Sequence, residues 1–308
     1  MKSSRSLRDL LRYGSNRLRS LHIESANLDA QLLAALVLGV SRTYVLTHPE
    51  LELTPEQESE YLCLIQRRSL KEPVAYITGK CEFMSLAFTV DESVLIPRAD
   101  TETLAEAAIS EAHGRGARSA LEIGTGSGCV AVALAVNCPG LNVTAADISP
   151  RALDIARVNA QAHGVSRRID FVLGDIFEDR LTDVLTAYGR FDMLVSNPPY
   201  ITAAEMADLP PSVRGFEPRE ALLGGEDGLM FYREITRRAP ELLNEGAAVL
   251  LEIGCTQGGQ VRDIFHNFDN IAVLQDLAGK DRVLRADYIY NKRGCNLVSP
   301  TGRNRKEV

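Results

Sequence analysis

Up to about Lys71 the apolar positions recur at helical spacing. Leu7, Leu10, Leu11, Leu18 and Leu21 share one face, and arginines fill the other. Asn27 is suited to cap a second helix, whose apolar run ends at Gly39, a C′ glycine. Thr54-Pro55-Glu56-Gln57 reads as another helix start: a cap, a proline at the first position, a glutamine at the third. The pattern predicts a small all-helical domain over residues 1–80. Such a bundle is either a substrate-docking module or a stabilising cap. Its Arg12, Arg17, Arg19, Arg67 and Arg68 are accordingly a docking face or ordinary solvated charge.

The period then changes. Two short apolar segments, 83–88 and 93–96, flank Asp91-Glu92 and predict a β-hairpin that links the domains over residues 81–98. Pro97-Arg98 ends it. Thr101-Glu102-Thr103 can cap a helix running through Ile109, which His113-Gly114-Arg115-Gly116 closes. From Ser119 onward, apolar strand-like runs at 120–123, 141–146, 169–173, 191–196 and 247–253 alternate with helical segments such as 150–163 and 228–243. Alternation of this kind predicts an α/β fold, a mainly parallel sheet with helices on both faces, over residues 99–292. Ligands of such folds bind beyond the carboxyl ends of the strands. Residues 293–308 are polar and turn-rich, a loose tail. No internal repeat stands out.

Composition narrows the partners. Hydrophobic content of 45% and charged content of 24% are those of an ordinary globular protein. The net charge of −7 argues against nucleic acid as the main partner, because phosphate binding calls for a basic surface. The longest apolar stretch, 28–40, is interrupted by Asp29 and Gln31 and falls short of the roughly 20 residues of a membrane span. The N-terminus passes from Met1-Lys2-Ser3-Ser4-Arg5 straight into an amphipathic pattern, so a cytoplasmic location without membrane contact is expected. The six cysteines are scattered and expected to stay reduced; with no H-E-x-x-H among the five histidines, no metal site is expected.

Four stretches at strand ends carry candidate chemistry. Leu121-Glu122-Ile123 runs into Gly124-Thr125-Gly126-Ser127-Gly128, where glycines let the backbone pass close under a ligand. Asp147 ends the next strand, placed to accept hydrogen bonds from both hydroxyls of a ribose, while Ser149 is the better cap for the helix that follows. Asp175 and Ile176 end the strand after that; Asp175 can accept from an adenine amino group while Ile176 packs on the ring face. Together these imply an adenosine ligand. Phe191–Ser196 then runs into Asn197-Pro198-Pro199-Tyr200. Two prolines force the chain out of the sheet in a stiff turn that offers an amide, proline carbonyls and an aromatic face, suited to a planar –NH2 group.

With this turn the set resembles a class I S-adenosylmethionine-dependent methyltransferase, and more narrowly is similar to the HemK/PrmC family of peptide chain release factor N5-glutamine methyltransferases. The likeness extends from about Glu72 to Arg285. It includes Pro73-Val74-Ala75-Tyr76-Ile77-Thr78-Gly79, Ile96-Pro97-Arg98-Ala99-Asp100-Thr101-Glu102, Glu217-Pro218, Ala221-Leu222-Leu223-Gly224-Gly225, Asp227-Gly228-Leu229 and Asp276-Leu277-Ala278-Gly279-Lys280-Asp281-Arg282. The resemblance implies a seven-stranded Rossmann-like sheet preceded by a helical domain. It implies S-adenosylmethionine as cofactor, S-adenosylhomocysteine as product, and the glutamine of a Gly-Gly-Gln motif in release factors as substrate. Gly124 to Gly128, Asp147, Asp175, Ile176 and Asn197 would contact the cofactor. Asn197, Pro198, Pro199 and Tyr200 would hold the glutamine, with Asn197, Pro198 and Tyr200 catalytic.

An amide nitrogen is a poor nucleophile, its lone pair delocalised into the carbonyl. Positioning is therefore expected to carry the catalysis, with the Asn197 oxygen and the Pro198 carbonyl each accepting one –NH2 hydrogen. Three rivals are weighed. Methyltransferases of adenine or guanine amines share Asn-Pro-Pro-Tyr, but the acidic chain disfavours them. A sister group that methylates a ribosomal-protein glutamine is disfavoured by the Ile-Pro-Arg-Ala-Asp-Thr-Glu stretch. A cofactor-binding scaffold without turnover is disfavoured by the complete set of motifs. Gly258-Gly259-Gln260 spells the substrate motif itself and reads as the start of a helix.

Overall fold

A computed structural model describes residues 5–290; the tail 293–308 lies outside the described residues. Five helices come first: α1 (Leu7–Arg19), α2 (Ala26–Leu38), α3 (Arg42–Thr47), α4 (Pro55–Ser69) and α5 (Val74–Thr78). They enclose a core of their own, including Leu7, Leu10, Leu18, Leu33, Tyr61 and Ile65. The Thr54–Gln57 capping box forms in full, and Gly39 closes α2 in the left-handed conformation at φ 64°. Asn27 is not a cap. Helix α2 starts one residue earlier, after Ser25, and Asn27 instead accepts from Arg19 Nη2 at 2.9 Å. Of the five arginines that could form a docking face, four are engaged: Arg68 Nε donates to the buried Asp29 Oδ2 at 2.7 Å, Arg67 pairs with Glu72, Arg12 pairs with Asp9 at 2.9 Å, and Arg19 donates to Asn16 and Asn27.

The linking hairpin is present but lies earlier than the sequence pattern suggests. β1 (Lys80–Phe83) pairs antiparallel with β2 (Leu86–Thr89). Met84 and Ser85 make the turn, both at positive φ (51° and 59°), the geometry whose twist matches a two-residue hairpin. Asp91, expected at the hairpin turn, folds back locally, its Oδ1 accepting from Ser93 N at 2.8 Å. Residues 93–96 are therefore not a strand. They run irregularly toward the sheet, fixed where Glu217 accepts from Ile96 N at 3.3 Å and from Arg98 Nη2 at 2.5 Å.

The rest is α6 (Ala99–Arg115), β3 (Ser119–Ile123), α7 (Cys129–Asn137), β4 (Asn142–Asp147), α8 (Pro150–Ala162), β5 (Ile169–Leu173), α9 (Asp179–Thr186), β6 (Phe191–Ser196), α10 (Pro211–Arg214), α11 (Met230–Leu242), β7 (Leu243–Glu252), α12 (Gly258–Ile264), β8 (Asp269–Gln275) and β9 (Asp281–Asp287). The sheet is seven-stranded, in the order β5-β4-β3-β6-β7-β9-β8. The pairs from β5 to β7 are parallel, and β9 runs antiparallel between β7 and β8. One face packs on α6 and α7 through Leu104, Ala108, Val132, Met193 and Val195; the other packs on α9, α11 and α12 through Leu185, Ile235, Val249, Leu251 and Phe265. The order reverses between β3 and β6, which opens the crevice at their carboxyl ends. Among the described residues no helix is long and apolar enough to cross a membrane.

Candidate active site

The turn after β3 threads between its neighbours with glycine where only glycine is comfortable. Gly124, Gly126 and Gly128 have φ of 73°, 54° and 77°. A Cβ added at Gly124 or Gly126 would meet nothing within 4 Å, whereas one at Gly128 would lie 2.9 Å from Ala156 Cβ on α8. The first two thus keep a bare backbone facing open space, and the third lets α8 pack closely. Thr125 and Ser127 are buried. Thr125 Oγ1 donates to Glu122 Oε2 at 2.6 Å, and burial pushes the Glu122 carboxyl up to about 8.

Asp147 stands opposite this turn. Its Oδ2 accepts from Gly126 N at 2.8 Å and its Oδ1 from Ser149 N at 2.9 Å. Each carboxylate oxygen has a second lone pair, so two hydroxyls can still be accepted side by side. Burial raises the Asp147 pKa, against the pull of these N–H groups. Ser149 caps α8, its Oγ accepting from Ala152 N at 3.2 Å.

Asp175 lies on the next strand end, its Oδ1 accepting from Phe177 N at 3.0 Å. Ile176 departs from expectation. It is 4% exposed and packs into the core with Leu181 and Leu185, so it offers no open face for a ring. An exposed apolar side chain adjacent to Asp147 is Ile148, 56% exposed; Leu173 and Phe177, exposed too, flank Asp175. Ile148 is not legible in the sequence pattern, because one apolar residue between two polar ones carries no periodic signal.

The Asn197 turn follows β6, next to the glycine turn of β3. Asn197 Nδ2 donates to Thr101 Oγ1 on α6 at 3.2 Å, which turns its Oδ1 away from that helix. Thr101 was expected to cap α6; the helix begins earlier, at Ala99, and Thr101 is buried in its first turn. Tyr200 packs on the α11 side of the core, and its hydroxyl lies 3.4 Å from Glu252 Oε1. The turn is clamped from outside. Ile201 N donates to Leu222 O at 3.0 Å and Gly224 N to Ile201 O at 2.8 Å. A Cβ at Gly224 would fall 2.6 Å from Pro199 O, so Gly224 is there for close approach of two backbones. Gln257 Nε2 donates to Tyr200 O at 3.2 Å and to Gly228 O at 3.3 Å. Gly258, Gly259 and Gln260 open α12, as a helix start should.

The structure thus gathers the glycine turn, Asp147, Asp175 and the Asn197 turn on successive strand ends of one sheet. Residues 9–79 match the family model described as PrmC N-terminal domain, and residues 101–209 match the one described as methyltransferase small domain. The release factor glutamine methyltransferase of Clostridium botulinum is 36% identical over 282 residues, 91% of this chain and 98% of that one. Its counterpart in Geobacter sulfurreducens is 41% identical over 281 residues, 91% and 95% of the two chains. The solved catalytic domain of hMettl16, in complex with the MAT2A 3′UTR hairpin 6, superposes with a TM-score of 0.51 at 15% identity, covering 74% of this chain and 83% of that one, a likeness of fold. On the strength of the sequence matches, this chain belongs to the release factor glutamine methyltransferase family.

Proposed function

We propose that this enzyme transfers the methyl group of S-adenosylmethionine to N5, the side-chain amide nitrogen, of the glutamine in the Gly-Gly-Gln motif of peptide chain release factors, supporting translation termination in the cytoplasm. The observation that carries the proposal is the Asn197 amide, whose nitrogen is engaged by Thr101 so that its oxygen is left to accept. The donor set fits the cofactor. The bare backbone at Gly124 and Gly126 suits a close-lying methionine moiety, the free lone pairs of Asp147 suit ribose hydroxyls, and Ile148 suits an adenine face. Asp175 would receive the adenine amino group. When bound, S-adenosylmethionine supplies a sulfonium-activated methyl group.

The chain's own residues orient the acceptor. Asn197 Oδ1 and the Pro198 carbonyl each take one hydrogen of the glutamine –NH2, which aims the nitrogen and draws electron density onto it. Pro198 and Pro199 hold these acceptors stiffly. Tyr200 lends its ring to the amide plane, and closure of the protein substrate over the turn excludes water. Residues 1–80 serve as the docking domain and residues 81–98 as the linker to the catalytic part. Nucleic acid is not a substrate in this reading, in keeping with a net charge of −7.

The test is transfer of labelled methyl to purified release factor and to its variant with the glutamine replaced by alanine. Label on the first and not the second is expected. Label appearing only on DNA or RNA would overturn the proposal.

A further inference from the structure

Leu-Glu-Ile-Gly ends two strands of this sheet: Leu121-Glu122-Ile123-Gly124 closes β3, and Leu251-Glu252-Ile253-Gly254 passes out of β7. Its placement is what matters. β3 and β7 are the two neighbours of β6, so the Asn197 turn emerges between two buried glutamates.

The glutamates are served differently. Glu122 takes the hydroxyl of Thr125, three residues on in its own turn, at 2.6 Å. The equivalent of Thr125 after β7 is Cys255, which is exposed and offers no such bond. Glu252 is 2% exposed, and its Oε2 has no hydrogen-bond partner among the described residues. What faces it comes from the Asn197 turn and its support: the Tyr200 hydroxyl at 3.4 Å from Oε1, and the Thr101 hydroxyl, which lies close enough to the carboxyl to lower its pKa. Ser196 pairs with Leu251, so Asn197 and Glu252 leave the sheet side by side.

We propose that Glu252 is a positioning residue for methyl transfer: acting through Thr101, it sets which end of the Asn197 amide faces the substrate. The proposal rests on the reading of Asn197 as an acceptor for the glutamine –NH2. A threonine hydroxyl has one hydrogen to give. While it gives that hydrogen to the Glu252 carboxylate, Oγ1 can only accept from Asn197, so Nδ2 turns to Thr101 and Oδ1 turns outward. Once Glu252 carries a proton, its own O–H can donate to Thr101. The threonine hydrogen is then released to Asn197 Oδ1, and the amide flips to present –NH2 to another –NH2, two donors face to face.

Burial pushes the Glu252 carboxyl up to about 7, so the switch falls where it can be measured. Every packed element contributes to its setting. Asp100 on α6 raises the pKa and Arg282 on β9 lowers it; Tyr200 lowers it by hydrogen bonding, and Tyr232 on α11 donates to the Glu252 carbonyl at 2.9 Å. Arg282 is itself held by Asp100 at 3.0 Å and Asp276 at 3.1 Å.

The experiment measures kcat and KM on release factor from pH 6 to 9, with cofactor affinity by calorimetry, for the wild type, Glu252→Gln, Thr101→Val, Thr101→Ser and the Glu252→Gln/Thr101→Val double variant. For Glu252→Gln we expect kcat down at least about tenfold, an unchanged cofactor affinity, and loss of the acid limb of the kcat profile. Thr101→Val should lose as much, Thr101→Ser should retain activity, and the double variant should be no worse than either single one. Wild-type kcat with an intact acid limb in Glu252→Gln would overturn the proposal, as would additive losses in the double variant. If Glu252→Gln does not fold, the threonine pair decides alone: activity lost in Thr101→Val and kept in Thr101→Ser supports the proposal, and activity kept in both overturns it. A wild type that leaves release factor unlabelled sinks the parent reading instead, and is told apart by that control.

Discussion

Asp147 and Asn197 are both proposed as acceptors, one for the cofactor and one for the substrate, and substitution separates them. Asp147 is acceptor-only, with two backbone N–H groups already pointing at it. Asp147→Asn would set an amide –NH2 against one of those donors and remove an acceptor for ribose. Cofactor affinity should fall by about 10- to 100-fold, the effect of a lost charge-assisted hydrogen bond plus a donor clash; an unchanged calorimetric Kd would sink the ribose assignment. Asn197→Ala should lower kcat on release factor by about 100-fold or more, the size expected for one oriented acceptor at the reacting group, while cofactor still binds. Turnover near the wild-type level would remove Asn197 from the mechanism. Glu122 and Glu252 add a stability signature, since burial raises both from the ordinary carboxylate range, to about 8 and about 7. Over the window from about 4.5 to those values the folded state holds protons that the unfolded chain has released, so stability falls as pH rises. The contribution is on the order of a few kcal/mol per group, and chemical denaturation at pH 5 and pH 8 should show it. A Glu122→Gln, Glu252→Gln double variant should flatten the difference.

At the scale of elements, the loop that follows the Asn197 turn acts as its brace. Gly228 has φ 72°, and a Cβ there would collide with Tyr200 O; Gly224 is barred by Pro199 O. Gly228→Ala should therefore displace the turn, lowering kcat while cofactor affinity, which the proposal assigns to the turns after β3, β4 and β5, stays within about twofold. Equal losses in both would show that the brace supports the whole crevice. The strands that position these turns were legible because each is a β-branched or apolar run followed by glycine, aspartate or proline, a signal that survives burial on both faces. β8 and β9 were not. β8 is an edge strand with Asn270 at φ 50°, and β9 carries Arg282, Arg285 and Asp287 into the fold. Those charges are paired, Arg285 with Glu111 at 2.9 Å and Asp287 with Arg115 at 2.6 Å, but in sequence they look like a loop. The hairpin was misplaced for a related reason: Met84-Ser85 lacks the usual asparagine or glycine of its turn, while Asp91-Glu92 resembles one. Thr101 and Glu252 gave no site signal because their partners lie far along the chain.

At the scale of the molecule, the hairpin and the glycine turn after β3 meet at one side chain. Asn159 on α8 is fully buried: its Oδ1 accepts from Thr89 N at 2.7 Å, and its Nδ2 donates to Thr89 O at 2.9 Å and Ser127 O at 2.8 Å. One amide thus closes the end of β2 as a further strand would and ties it to the glycine turn. Close by, His163 reaches Ala87 O of the hairpin at 2.7 Å, and the Tyr76 hydroxyl of α5 donates to Val94 O in the segment that follows it at 2.6 Å. Ser127 belongs to the glycine turn and Thr89 to the hairpin, so the two are joined through direct hydrogen bonds to one buried side chain. Asn159→Leu keeps the approximate volume and strips every one of these bonds, leaving buried backbone groups unpaired at a cost of about 2–4 kcal/mol. The midpoint of urea unfolding should fall accordingly. Cofactor affinity should fall as well, although Asn159 lies under the glycine turn rather than in the crevice. A stability loss with an unchanged cofactor Kd would show that the linker and the cofactor turn are merely adjacent, and that docking at the helical end has no route to the site through this residue.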